Sequence, residues 1–215
     1  YVIDTLIVPK HPPVTAVWEP GYHPRGHDTS VYAQDTIKVC GRMVGYPDER
    51  NTDEWDDDVL VHEYSHFLMD SYAELEPGGA TPDWSADWGK QHWRDAWEEA
   101  WAYVFSSTVR HDSFFVNTGH GIGKQRIFSY YNLENENDFW FYPEPSPDTM
   151  EGGAGCIDAI AASLWDFCDA TNESWPDGRQ DRLSLGFSLV WDVFDNYDPV
   201  LPAGNGHDNC WNIYE

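Results

Sequence analysis

Basic residues are scarce in this chain. Lys and Arg together number 12, against 38 Asp and Glu in 215 residues, a formal net charge of −26. A surface this negative is repelled by nucleic-acid phosphates and by anionic lipid, so neither is an expected partner. No apolar run approaches the length that spans a bilayer, so no membrane insertion is expected. The four cysteines (Cys40, Cys156, Cys168, Cys210) include no CxxC pair. That argues against a thiolate metal site, and the wide spacings fit disulfides. Cys156 and Cys168 flank one predicted helix about 18 Å long, too far apart to pair with each other. The expected setting is oxidising and extracellular. No basic segment followed by an apolar one opens the chain at Tyr1, so it reads as a mature fragment or a domain cut from a larger precursor. Internal repeats and low-complexity tracts are also missing, and one domain over 1–215 is expected.

Aromatic side chains, by contrast, are plentiful. Trp 12, Tyr 12 and Phe 10 make up 16% of the chain, and hydrophobic residues 41%. Disordered acidic tails lack aromatics, and this length supports one sizeable core.

The first third reads as a small sheet. Val2–Val8 is rich in β-branched residues and stops at Pro9, which predicts a strand. Lys10 to Asp28 carries four prolines, two glycines and three histidines. A short strand is expected there at Thr15–Trp18, followed by loop. Ser30–Cys40 contains Ile37 and Val39 alternating with Lys38, and predicts one further strand. The acidic run Asp48–Asp58 reads as a solvated loop whose last carboxylates cap a helix. A calcium loop is the alternative, although no Asp-x-Asp-x-Asp-Gly pattern is present.

Helices dominate the rest. The first runs from Asp57 to about Leu75, where Pro77-Gly78-Gly79 stops it. A second is predicted from about Gln91 to Arg110. Its Trp93, Trp97 and Trp101 recur every four residues, a stripe better explained by core than by carbohydrate stacking. Phe114–Met150 shows no clear period and reads as a long irregular region. Helices are predicted again at Ile157–Asp169 and Leu183–Val193. The expected architecture is α+β. A small N-terminal twisted sheet and the first helix occupy 1–75, and a mainly helical lobe occupies 76–215.

The chemistry concentrates in His62-Glu63-Tyr64-Ser65-His66. Two histidines four apart on a helix project one above the other and can reach a single metal ion. Zinc with three protein ligands and one open position for water is the usual occupant. The intervening glutamate stands beside that position, where it can take a proton from water and pass it to a leaving amine. A third ligand is needed, and the second helix offers Glu98 and Glu99. Periodicity alone leans towards Glu98, which lies nearer the Trp93–Trp97–Trp101 face.

HEYSH, followed after a loop by a helix carrying Glu99-Ala100-x-Ala102-x-Val104-Phe105-Ser106, resembles the gluzincin (thermolysin-like) zinc peptidases. Asp158–Asp166 is also similar to a helix of secreted gluzincin-like peptidases, and the likeness covers roughly Asp56 to Asp169. It implies a zincin-like fold with a zinc-dependent endopeptidase activity. His62, His66 and Glu99 would be the metal ligands and Glu63 the general base. Zn2+ is the implied cofactor, with Ca2+ as a further candidate, and the partner is a protein or peptide substrate. In the family an aspartate four residues after the third ligand orients a zinc histidine; here that position is Tyr103. Asp70, one turn beyond His66, is the alternative acceptor for a ligand imidazole. A donor to the developing oxyanion is expected among His120, Tyr130, Tyr131 and His207, with Tyr131 preferred. Two other functions fit the same residues less closely. One is an adhesion or ligand-binding domain on a zincin scaffold; the other is a metal-dependent hydrolase of a non-peptide bond.

Overall fold

In the computed structural model, residues 13–19, 30–41, 53–72, 93–117, 129–134, 157–169 and 184–196 are described. The predicted strand at Val2–Val8, Cys156 and Cys210 lie outside them. So do residues 48–52 of the acidic run and most of Phe114–Met150.

Three short strands form a mixed sheet: β1 (Thr15–Val17), β2 (Val31–Tyr32) and β3 (Thr36–Lys38). The order is β1-β3-β2, with β1 parallel to β3 and β2 antiparallel to it. Ser30–Cys40 is therefore a hairpin and not the one strand its alternation predicts. Gln34 and Asp35 both adopt φ of 55°, and Ala33 and Thr36 exchange both backbone hydrogen bonds across them, at 2.9 and 3.2 Å. A two-residue turn of this hand matches strand twist but needs positive φ twice. Gln-Asp lacks the glycine that normally announces it. The predicted alternation survives beyond the turn, where Ile37 and Val39 are buried.

Helix α1 spans Asp57–Tyr72. Asp56 caps it: its Oδ1 accepts the Val59 N–H at 3.5 Å and its carbonyl accepts the Leu60 N–H at 3.0 Å. The acids around this cap are not all solvated, contrary to expectation. Asp53 and Asp58 are each 1% exposed. Asp53 Oδ2 accepts the Ser30 N–H at 2.8 Å and its hydroxyl at 2.7 Å. Asp58 pairs with Arg110 and accepts the Val116 N–H at 3.0 Å. Specific protein donors thus bind both of these buried carboxylates.

Helix α2 (Trp93–Arg110) packs against α1 on one side and α3 (Ile157–Cys168) on the other. It can do so because Ala96, Ala100 and Ala102 are fully buried and let both neighbours approach. Ala96, Ala100 and Val104 join one apolar cluster with Ile160, Leu164 and Phe115. Trp101 and Phe105 join a second, with Phe67, Leu68 and Trp191. Trp101 is thus core, as its helical spacing predicts, and Trp97 packs against the first cluster.

The end of α2 redirects the chain. Asp112 N–H bonds the Ser107 carbonyl at 3.1 Å and His111 N–H the Thr108 carbonyl at 3.3 Å, with His111 at φ 57°. That is a Schellman stop with histidine in the place glycine usually takes. It sends β4 (Phe114–Asn117) back beside α1, where it pairs antiparallel with β5 (Ser129–Asn132). Part of the region predicted to be irregular is therefore a hairpin. Helix α4 (Phe187–Asn196) starts later than predicted. Gly186 takes φ 78° immediately before it, and the N–H groups of Leu185 and Gly186 are both held by the Phe167 carbonyl. The described residues thus make an α+β arrangement with a small mixed three-stranded sheet, a two-stranded antiparallel sheet and four α-helices.

Candidate metal centre

Helix α1 supplies His62, Glu63 and His66, and α2 supplies Glu99. Their meeting follows from the packing of the two helices over the buried alanines of α2. His62 Nε2 lies 3.2 Å from His66 Nε2. It lies 3.2 Å from Glu99 Oε2, and His66 Nε2 is 3.8 Å from Glu99 Oε1. All three ligand atoms fall within 4.8 Å of one another, the only such group of His, Cys, Asp or Glu among the described residues. Bonds of about 2.0–2.2 Å to a tetrahedral zinc put ligand atoms about 3.3 Å apart, so the donor set and its spacing fit that ion. Glu99, not Glu98, makes the cluster. The wheel argument for Glu98 fails because α2 is buried on two sides, so its Trp stripe does not mark the only inner face.

Charge couples the four groups tightly. Burial opposes charge on His62, but the hydrogen bond and charge of Glu99, with Glu63 adding, raise its pKa overall. Burial lowers His66 to about 4; Glu99 opposes this and His62 adds to it. Burial would raise Glu99, but the His62 hydrogen bond and the two imidazoles hold it below its ordinary value. Together these shifts favour an ionised Glu99 carboxylate and a neutral His66, while Glu99 draws a proton onto His62. Burial lifts Glu63 to about 7, helped by Glu99 and Asp53 and opposed by His62 and by an N–H bond from Tyr32. A base in that range suits proton transfer near neutrality.

The imidazole of His62 is held by rings. Tyr103 lies 4.8 Å from it and Phe115 5.6 Å, centroid to centroid. Those two rings meet edge to face at 4.6 Å. His62 Nδ1 is buried without a hydrogen-bond partner, where a ligand histidine ordinarily donates to a carboxylate or carbonyl. Tyr103, which stands where the family has its aspartate, therefore touches the His62 imidazole through its ring. Asp70 does not sit at an imidazole: its carboxylate is exposed and accepts the Tyr32 hydroxyl at 2.8 Å. Its direction along α1, one turn beyond His66, carries it out to the β2–β3 hairpin.

Tyr131 is placed by its backbone in β5, in register with Phe115, the residue packed on His62. Tyr130 pairs with Val116 in the same ladder. His120 and His207 lie outside the described residues. Cys40 and Cys168 are not bonded to each other. The residue that sequence reasoning missed is Tyr32, whose N–H donates to Glu63 Oε2 at 2.5 Å. Nothing local marks it, because it lies in another element.

Comparison with protein-family models, with curated proteins and with solved structures returns no match for this chain.

Proposed function

We propose that this chain is a zinc-dependent endopeptidase of gluzincin type, with a zincin-like fold. One observation carries the reading: His62, His66 and Glu99, from two helices, converge on one point, and the buried Glu63 stands one residue from His62. An accidental pair of helical histidines has no reason to meet a carboxylate from a second helix. Nor would it need a buried glutamate beside it.

His62, His66 and Glu99 would hold the zinc, which when bound acidifies water and polarises a carbonyl oxygen. Glu63 takes the proton from the attacking water and later gives it to the departing amine. Its orientation is set by the Tyr32 N–H. The surrounding negative charge favours neutral or basic peptides over acidic ones.

The test is elemental analysis for zinc combined with cleavage of unfolded casein. The wild type should carry about one zinc and cut casein until a chelator is added. Glu63→Ala should retain zinc while losing activity about 100-fold or more. Glu99→Ala should lose zinc. A wild type that takes up no zinc, even after reloading, would overturn the metal site. Zinc without cleavage of any peptide would overturn the peptidase.

A further inference from the structure

Tyr32 touches helix α1 at three points. Its N–H donates to Glu63 Oε2 at 2.5 Å. Its ring meets Phe67 edge to face at 6.1 Å. Its hydroxyl donates to Asp70 Oδ2 at 2.8 Å, with Asp35 Oδ1 further away at 3.4 Å. Glu63, Phe67 and Asp70 are spaced i, i+4 and i+7, so they share one helix face. The strand geometry makes the first contact available. Ala33 and Thr36 are the mutually bonded pair of the hairpin. In an antiparallel ladder the next pair, Tyr32 and Ile37, points its N–H and C=O groups outwards. The Tyr32 amide therefore faces α1 and not β3.

We infer that Tyr32 and Asp70 form a clasp that fixes edge strand β2 against α1, so that the Tyr32 main-chain N–H orients the Glu63 carboxylate. Tyr32 is a positioning residue: it acts through Glu63. Phe67 supplies apolar contact and Asp70 the polar lock. Burial, with Asp70 and then Asp35 adding, raises the Tyr32 phenol above its ordinary pKa. The hydroxyl thus stays protonated and donates throughout the neutral range. Asp35 belongs to the same hairpin as Tyr32 and cannot tie it to the helix, which leaves Asp70 as the anchor.

This inference rests on the proposed role of Glu63, and its test separates the two. The first readout needs no activity: the amide proton resonance of residue 32 in the full-length protein. A short N–H bond to a carboxylate should place it far downfield, and Glu63→Gln should move it. Tyr32→Phe and Asp70→Ala should each shift it upfield and speed its hydrogen exchange, while Asp70→Asn, which keeps an acceptor, should restore most of the wild-type position. The second readout is kinetic. Both disruptive variants should lower kcat about 10-fold with KM little changed and zinc content intact. The double variant should be no slower than either single one. Unchanged amide shifts in both variants would overturn the clasp. Shifted amides with an unchanged kcat, in a wild type that cleaves peptides, would overturn the orienting role. A wild type that does not cleave peptides refutes the peptidase reading instead, and the amide readout still decides the clasp.

Discussion

Asp53 is sealed from water, yet only one of its carboxylate oxygens is bonded; Oδ1 has no partner. Burial raises its pKa from 3.8 to about 6, against the two Ser30 bonds and with help from Asp56 and Glu54. The folded protein therefore binds this proton more tightly than the unfolded chain does. The stability this confers is complete below pH 3.8 and is lost as pH rises through about 6. It amounts to about 3 kcal/mol across that window. Asp53→Asn mimics the protonated form and keeps an oxygen for Ser30. Its advantage over the wild type should grow from pH 4 to 7, as read by urea midpoints; parallel pH profiles would refute the assignment. Residues differ in how openly the sequence shows them. His62, Glu63 and His66 were legible because a helix of period 3.6 aligns residues four apart. Glu99 was legible only through resemblance, since periodicity pointed to Glu98. Tyr32 was not legible at all: its bond to Glu63 spans 31 positions and uses a backbone N–H that every residue has.

At the scale of elements, the two helices that carry the candidate metal residues are tied at one end by a charge. Asp58, in the first turn of α1, meets Arg110, in the last turn of α2. The same carboxylate accepts the Val116 N–H of β4. Ser106 adds its hydroxyl, 3.0 Å from the Asp58 carbonyl. Burial raises the pKa of Asp58, opposed by the Val116 bond and by Arg110. Arg110→Ala would leave that buried carboxylate short of its cation. The cost should be about 2–3 kcal/mol, below the value for a fully buried pair because the guanidinium is partly solvated. Zinc affinity should fall as well, because His62 lies one turn from Asp58 on the same helix. Urea unfolding and a competition titration with a zinc chelator would measure the two effects. Unchanged zinc affinity in a destabilised variant would show that the tie supports the fold and not the site. The helices themselves were legible from periodicity and breakers, and α1 from its run of capping acids. The hairpins were less so. Gln34-Asp35 carries no glycine signal, and four-residue strands such as β4 and β5 are too short to show a period.

For the molecule as a whole, the dominant fact is charge. At −26 the chain repels itself whenever it is compact, and only part of that repulsion is offset by pairs such as Asp58–Arg110. The acidic excess was plain in the sequence, but its division was not: Asp53 and Asp58 are buried on specific donors, whereas Asp57 and Asp70 are exposed. The exposed group responds to added salt. The Debye length falls from about 30 Å at 0.01 M to about 10 Å at 0.1 M. Most of the relief should therefore arrive at low salt. Thermal unfolding followed across 0.01–1 M NaCl should show Tm rising by about 5 °C, steeply below about 0.2 M and little above it. A rise that instead grows steadily to 1 M would mark general exclusion of solute from the surface. A flat profile would mean that the acids are already neutralised within the fold. Either result would refute self-repulsion as the main destabilising term.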